Sequence, residues 1–228
     1  MTSHSNDKQL ACTLAAGEKQ KTWFAGLRRE VFEGGQPYAI VNADTPHDLF
    51  HVLGVPVVTN QWWAAVVAAK RLSEEYLDAM NAQGYNENLC KYCSIGLATS
   101  KVDLGERAPW GGLPKPALLC ARLTCDCSQR IFQQWADQTG APFFPLEAPG
   151  TSVLPANWWE LSRDRWEELC EPRRLDFAVD ELKQLITVLE GIGGRRFDAD
   201  ELRVFLQRVN EQEEQFEGGR QRIAPAPK

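Results

Sequence analysis

Thiols at close spacing are the residues in this chain best suited to chemistry. Two stretches carry them: Asn88-Leu-Cys90-Lys-Tyr-Cys93, and Leu119-Cys120-Ala-Arg-Leu-Thr-Cys125-Asp-Cys127. Thiolates held in pairs as Cys-x-x-Cys or Cys-x-Cys bind zinc or iron far more readily than scattered cysteines do. Cys125 and Cys127 fall where a strand is expected to meet a helix, and the positive end of a helix dipole favours the thiolate. From spacing alone, a structural zinc site of Cys90, Cys93, Cys125 and Cys127 competes with any redox centre. Cys120, central in a predicted strand, reads as a small buried residue, since free cysteine is among the most buried types. Cys12 is given no role.

The bulk composition sets the setting for those thiols. A chain of 228 residues with 43% hydrophobic and 25% charged residues and eight tryptophans has the makings of a substantial core. A net charge of -6 gives no support for a nucleic-acid partner, whose phosphates favour a basic face. No apolar run is long enough to span a bilayer, and the polar start lacks the basic-then-apolar order of a secretion signal. A cytoplasmic, membrane-free protein is therefore expected, in which seven cysteines point to metal binding or burial rather than to disulfides.

The elements that must position the thiols follow from periodicity. Residues 1–17 are polar without a sustained period and read as a mobile N-terminus. Trp23, Phe24, Leu27 and Val31 recur at helical spacing over residues 18–32, before Gly34 and Gly35. The order strand (37–41), short helix (47–53), strand (55–59) is a βαβ unit and predicts a parallel sheet. One long helix is expected from Trp62 to about Asn81, and a second over 86–100 that carries Cys90 and Cys93. A stiff loop, Pro109 to Pro116, leads to a strand over 117–123, a helix through Ile131, Phe132 and Trp135, and a fourth strand over 142–146. Residues 18–150 thus read as a doubly wound α/β domain, a parallel sheet flanked by helices, with ligands expected beyond the carboxyl ends of the strands. A helical segment over 151–216 follows, with Asp198 and Glu201 forming a capping box for its last helix, and then a linker-like tail over 217–228.

Taken in order, these motifs carry a resemblance. An apolar strand, Asp44-Thr-Pro46-His-Asp48, Gly54-Val-Pro56, a long helix, Leu89-Cys90-Lys-Tyr92, a proline-rich loop, and Leu118-Leu119 leading to Cys125 together resemble the benzoyl-CoA reductase/2-hydroxyacyl-CoA dehydratase subunit family. The likeness covers roughly residues 37–216. It implies a [4Fe-4S] cluster held between two α/β domains by three cysteines, with Cys90 and Cys125 as the first domain's ligands and Cys93 and Cys127 as neighbours. The third cysteine of the family comes from a second domain without a counterpart here, so a truncated or split subunit is implied; Cys170 lies outside the matched pattern.

The resemblance further implies delivery of a low-potential electron to an acyl-CoA thioester. The electron comes from a separate ATP-hydrolysing iron-sulfur activator, and a paralogous subunit completes a hetero-oligomer. Consistent with this division of labour, the chain has no Gly-x-x-x-x-Gly-Lys phosphate loop. Asp44, Thr45 and His47 after the first strand are the expected proton donors, with helix capping as their alternative use. Asn60, Gln61 and Trp63 after the second strand are the expected substrate contacts, while Trp62 reads as core. The aromatic Asn60-Gln-Trp-Trp63 run tilts the expectation toward ring reduction of benzoyl-CoA, with 2-hydroxyacyl-CoA dehydration as the alternative. A zinc-stabilised domain and an inactive remnant of the family stand behind those two.

Overall fold

In the computed structural model, residues 10–86, 88–147 and 153–223 are described. Helix α1 (Ala11–Arg28) passes through a π-turn at Arg29–Glu33 into strand β1 (Ala39–Val41), helix α2 (His47–Val52) and strand β2 (Val57–Thr59). Helices α3 (Asn60–Ala69), α4 (Ser73–Ala82) and α5 (Lys91–Lys101) precede strand β3 (Leu118–Arg122), helix α6 (Asp126–Thr139) and strand β4 (Phe143–Leu146). Helices α7 (Trp158–Asp164), α8 (Pro172–Gly193) and α9 (Ala199–Ile223) complete the order. The four strands form one parallel sheet in the order β2-β1-β3-β4, with Ile40 opposite both Val58 and Leu119, and Cys120 opposite Phe144. The expected α/β fold is what forms.

Both faces of the sheet are covered, and the strand period decides which residue goes where. Ile40, Val58, Leu119 and Ala121 point into a core shared with α1 and α3 to α6, while Ala39, Val41, Leu118 and Cys120 point into a second core with α2 and α8. Leu185 and Leu189 of α8 are fully buried in that second core. The helical stretch expected beyond residue 150 therefore forms a layer of the same fold, because the second face of a parallel sheet must be buried too. The boundary at 150 itself lies outside the described residues, as do 1–9 and 224–228 of the two expected terminal segments. Helix α1 begins at Ala11, earlier than residue 18, and α9 runs to Ile223 through Gly218 and Gly219 of the expected tail. No helix among the described residues is long and apolar enough to cross a membrane.

The expected long helix from Trp62 to Asn81 is two helices. Arg71 takes φ 59°, and the N–H groups of Arg71 and Leu72 donate to the carbonyls of Ala68 and Val67, the pattern of a Schellman cap. Leu72 and Val67 then pack in the same core, which stabilises a left-handed residue that is not glycine. The capping box expected at Asp198 forms in half. The Asp198 carboxylate accepts from the Asp200 N–H at 2.8 Å, whereas Glu201 turns to Arg195 at 3.0 Å.

The α8–α9 connection carries a pH-sensitive contact. Glu190 accepts from the Phe197 N–H at 2.8 Å and pairs with Arg196 at 2.9 Å, and these contacts, the backbone hydrogen bond first, hold its carboxyl below the usual range. A carboxyl lowered by folding contributes stability above its unfolded value of about 4.3 and loses it as pH falls through the lower folded value. Protection of the Phe197 amide against hydrogen exchange is expected to be flat from neutral pH to about 5 and to drop below about 4. Unchanged protection at the acid end would remove Glu190 from this role.

Candidate metal centre

The thiols are brought together by the packing of α5 on α6 and α3. Cys90 is the N-cap of α5 and Cys125 the N-cap of α6, so the amino ends of both helices open toward the same place. Cys93 and Cys127 lie in the first turns of those helices, on the side facing each other. The approach of α5 depends on Gly96: a Cβ there would collide with Asn60 Oδ1 and sit 2.8 and 2.9 Å from the Trp135 ring. Asn60 is fully buried at the start of α3 and donates to the Cys93 carbonyl at 3.5 Å. The site is thus two helix starts held at close range by one glycine and one buried amide.

The Sγ atoms of Cys90, Cys93 and Cys127 all lie within 4.8 Å of one another. Cys93 is buried, Cys127 half-buried and Cys90 exposed. Burial pushes the Cys93 thiol well up, reinforced by Cys90, Cys127 and more weakly Cys125. Cys127 is raised for the same first reason, but less, because the Cys90 N–H donates to its sulfur. These sulfurs therefore crowd one another as an electrostatic unit, and a cation among them relieves both the repulsion and the desolvation. The donor chemistry fits an iron-sulfur cluster or a zinc ion, since both take thiolates. Cys120 faces the second core, where burial and then Asp44 push its thiol up to about 12. It behaves as the small buried residue expected.

A crevice lies at the carboxyl ends of the central strands. Between β1 and β3 the chain leaves the sheet in opposite directions, which opens a cleft at the carboxyl ends of the strands. Asp44 spans it: Thr124 Oγ1, in the loop after β3, donates to Asp44 Oδ2 at 2.8 Å, and Asn42 Nδ2 donates to Asp44 Oδ1 at 2.9 Å. Gln61 joins the network, accepting from the Ala43 N–H at 3.0 Å and donating to Asn42 Oδ1. Thr124 immediately precedes Cys125, so the network is tied to the end of the thiol loop. A cavity of about 290 Å³ next to it is lined by Asp44, Thr45, Arg122, Glu147 and Glu181.

The pattern of the family described as 2-hydroxyglutaryl-CoA dehydratase, D-component, matches residues 42–222, from the Asp44 loop through the thiols and into α9. The chain belongs to this family. Among its relatives, the (R)-phenyllactyl-CoA dehydratase alpha subunit of Clostridium sporogenes is 21% identical over 188 residues, 82% of this chain and 42% of that protein. The (R)-2-hydroxyisocaproyl-CoA dehydratase alpha subunit of Clostridioides difficile is 24% identical over 169 residues, 73% of this chain and 37% of that protein. The chain spans about two fifths of the length of these two relatives.

Within this dehydratase-family fold the expected site residues separate into three places. Asp44, Thr45 and Gln61 meet at the crevice, although Thr45 Oγ1 is occupied by the Asn42 carbonyl at 2.7 Å. His47 lines a different hollow with Trp23, Leu27, Pro56 and Phe205. Asn60 and Trp63 are interior. Trp63 is fully buried and donates to Thr99 Oγ1 at 3.0 Å, so the expected substrate-facing tryptophan is core. Trp62 instead reaches the edge of an aromatic cluster with Trp23, Phe24 and Trp110, at 5.0 to 5.9 Å between rings. The physical reason is helix phase: α3 starts at Asn60, which turns positions 60, 63, 64 and 67 inward. Sequence reasoning passed over Asn42, Arg122 and Thr124. A polar Asn immediately after an apolar strand was the available signal for the first; nothing in the sequence pairs Thr124 with Asp44, eighty positions away. Of the expected ligands, Cys90 belongs to the tight sulfur group and Cys125 stands outside it, with Cys93 and Cys127 inside.

Proposed function

We propose that this chain is the thiol-bearing α/β domain of a 2-hydroxyacyl-CoA dehydratase component acting in the cytoplasm. The observation that carries the reading is the link between the switch-point crevice and the thiol loop, where Thr124 is hydrogen-bonded to Asp44 and followed directly by Cys125. Cys90 and Cys125 would hold an iron-sulfur cluster, which would supply low-potential electron transfer to the thioester. Asp44, kept in place by Thr124 and Asn42, is the group positioned to accept a proton from the acyl chain. Arg122 offers the crevice its positive charge and suits a thioester oxygen or a phosphate of the coenzyme. His47, on the far side of the Asp44 loop, is a candidate donor only toward its own hollow.

Electrons come from an ATP-hydrolysing activator, and a paralogous subunit completes the enzyme. The tilt toward benzoyl-CoA rested on the Asn60-Gln-Trp-Trp63 run, in which Trp63 lies in the core and Trp62 packs against Trp23, Phe24 and Trp110. Both named relatives are dehydratase subunits, which supports dehydration over ring reduction. The test is turnover by the chain assembled with its partner subunit and activator, given a 2-hydroxyacyl-CoA and benzoyl-CoA in parallel. Dehydration is expected, with Asp44→Asn lowering kcat about 100-fold or more at unchanged folding. Turnover of benzoyl-CoA alone would sink the dehydratase reading, and an active Asp44→Asn variant would remove Asp44 from proton transfer.

A further inference from the structure

Two sulfurs in the group remain without a task once Cys90 and Cys125 are assigned. We propose that Cys93 and Cys127 are metal ligands in their own right, so that Cys90, Cys93, Cys125 and Cys127 form one tetrathiolate set that closes a metal centre within this chain. The inference rests on the grouping of the Cys90, Cys93 and Cys127 sulfurs, with Cys125 at the adjoining helix start, and stands whether or not the substrate is a 2-hydroxyacyl-CoA.

Distance comes first. Sulfurs sharing one tetrahedral ion, with metal–sulfur bonds of about 2.3 Å, stand about 3.8 Å apart. The Sγ atoms of Cys90, Cys93 and Cys127 are all within 4.8 Å of one another, so small side-chain rotations bring them onto a single ion or onto adjacent corners of a cluster. Cys125 is exposed at the N-cap of α6, two positions before Cys127, and it acts electrostatically on both Cys93 and Cys127. Its sulfur lies outside the tight group and has to turn toward the other three to become the fourth ligand.

Charge is the second argument. Four thiolates are strongly anionic, and here they gather at the amino ends of two full helices, α5 and α6, whose unpaired N–H groups offset that charge. The Cys90 N–H already donates to the Cys127 sulfur, the kind of contact that orients a metal-bound thiolate. Core packing does not explain the convergence. Cys93 alone is buried, while Cys90 is exposed and Cys127 only half-buried.

The same thiolate set can take a single zinc-like ion or a four-iron cluster. The experiment separates these sources while testing the ligands. The full chain, purified reduced and without oxygen, is freed of metal and titrated with cobalt(II), whose sulfur charge-transfer absorption grows with each thiolate bound. Saturation at one ion per chain with a four-sulfur spectrum is expected. Cys93→Ser and Cys127→Ser should each remove one sulfur's share and weaken binding at least about tenfold, while Cys120→Ser changes nothing.

A parallel reconstitution with iron and sulfide asks whether the chain by itself retains a cluster. Retention lost in Cys127→Ser supports a tetrathiolate cluster, and cobalt or zinc binding without retained iron supports a single-ion site of the same ligands. Cys127 is half-exposed, so its variant stays informative if Cys93→Ser misfolds. Unaltered spectra and affinities in Cys127→Ser, or metal bound only after a partner subunit is added, would overturn the proposal. Because absorption is read rather than turnover, an inactive chain with four sulfurs on cobalt supports this inference and counts only against the dehydratase reading.

Discussion

Gly96→Ala is expected to cost about 3 kcal/mol of folding stability, the upper part of the range for overpacking a filled core. The added methyl meets the Asn60 side chain and the Trp135 ring, both buried, and neither has an open direction to move in. Among the described residues Asn60 Oδ1 has no hydrogen-bond partner, so pushing the amide aside also strains its link to the Cys93 carbonyl. Relief comes only by sliding α5 off α3 and α6, which carries Cys90 and Cys93 away from Cys127. Urea unfolding should show a lower midpoint at unchanged slope, and cobalt binding should weaken in the fraction that remains folded. A variant with wild-type stability would mean that α5 is held less closely than this packing requires. One with lowered stability and intact metal affinity would separate the helix contact from the thiol geometry.

Trp63→Ala is expected to cost about 3–5 kcal/mol of folding stability. The side chain is fully buried, lies 5.2 Å from Trp110 between ring centres, and donates to Thr99 Oγ1. Trp63→Phe keeps most of the apolar volume and loses the hydrogen bond. Its cost should fall nearer 1 kcal/mol beyond any packing change, because Thr99 retains its own bond to the Gly96 carbonyl at 2.7 Å. Thermal melts of both variants check this. KM for an acyl-CoA in the assembled enzyme should be unmoved in Trp63→Phe. A raised KM at unchanged stability would return Trp63 to the substrate and reopen the case for an aromatic acyl group.

Much of the architecture was legible because it follows from local period and punctuation. The apolar runs ending at Val41, Thr59, Arg122 and Leu146 are strands, since short continuous apolar segments between turn-forming residues suit a sheet buried on both faces. Position within them also followed: Cys120 is buried, and Asp44 sits at the carboxyl end of β1, where an α/β sheet exposes its ligand-facing loops. Family membership was readable from the ordered motifs around Asp44, Gly54, Cys90 and Cys125, which the match over residues 42–222 encloses.

Local sequence was enough for the strands, the thiol-bearing helices and their order along the chain, although the helix expected over 86–100 begins at Lys91 with Cys90 as its N-cap. Which side chains meet was settled by packing. The break at Arg71 needs Leu72 and Val67 to share a core before a left-handed arginine is stable. The phase of α3 hides Trp63 and leaves Trp62 at the edge, a choice set by where the helix begins rather than by residue type. The grouping of Cys90 and Cys93 with Cys127 depends on α5 seating against α6 through Gly96, a contact between positions far apart in the chain. Helix and strand propensities act over a few residues, whereas a thiol group of this kind is fixed by the distance between two helix ends, and that distance is set by packing.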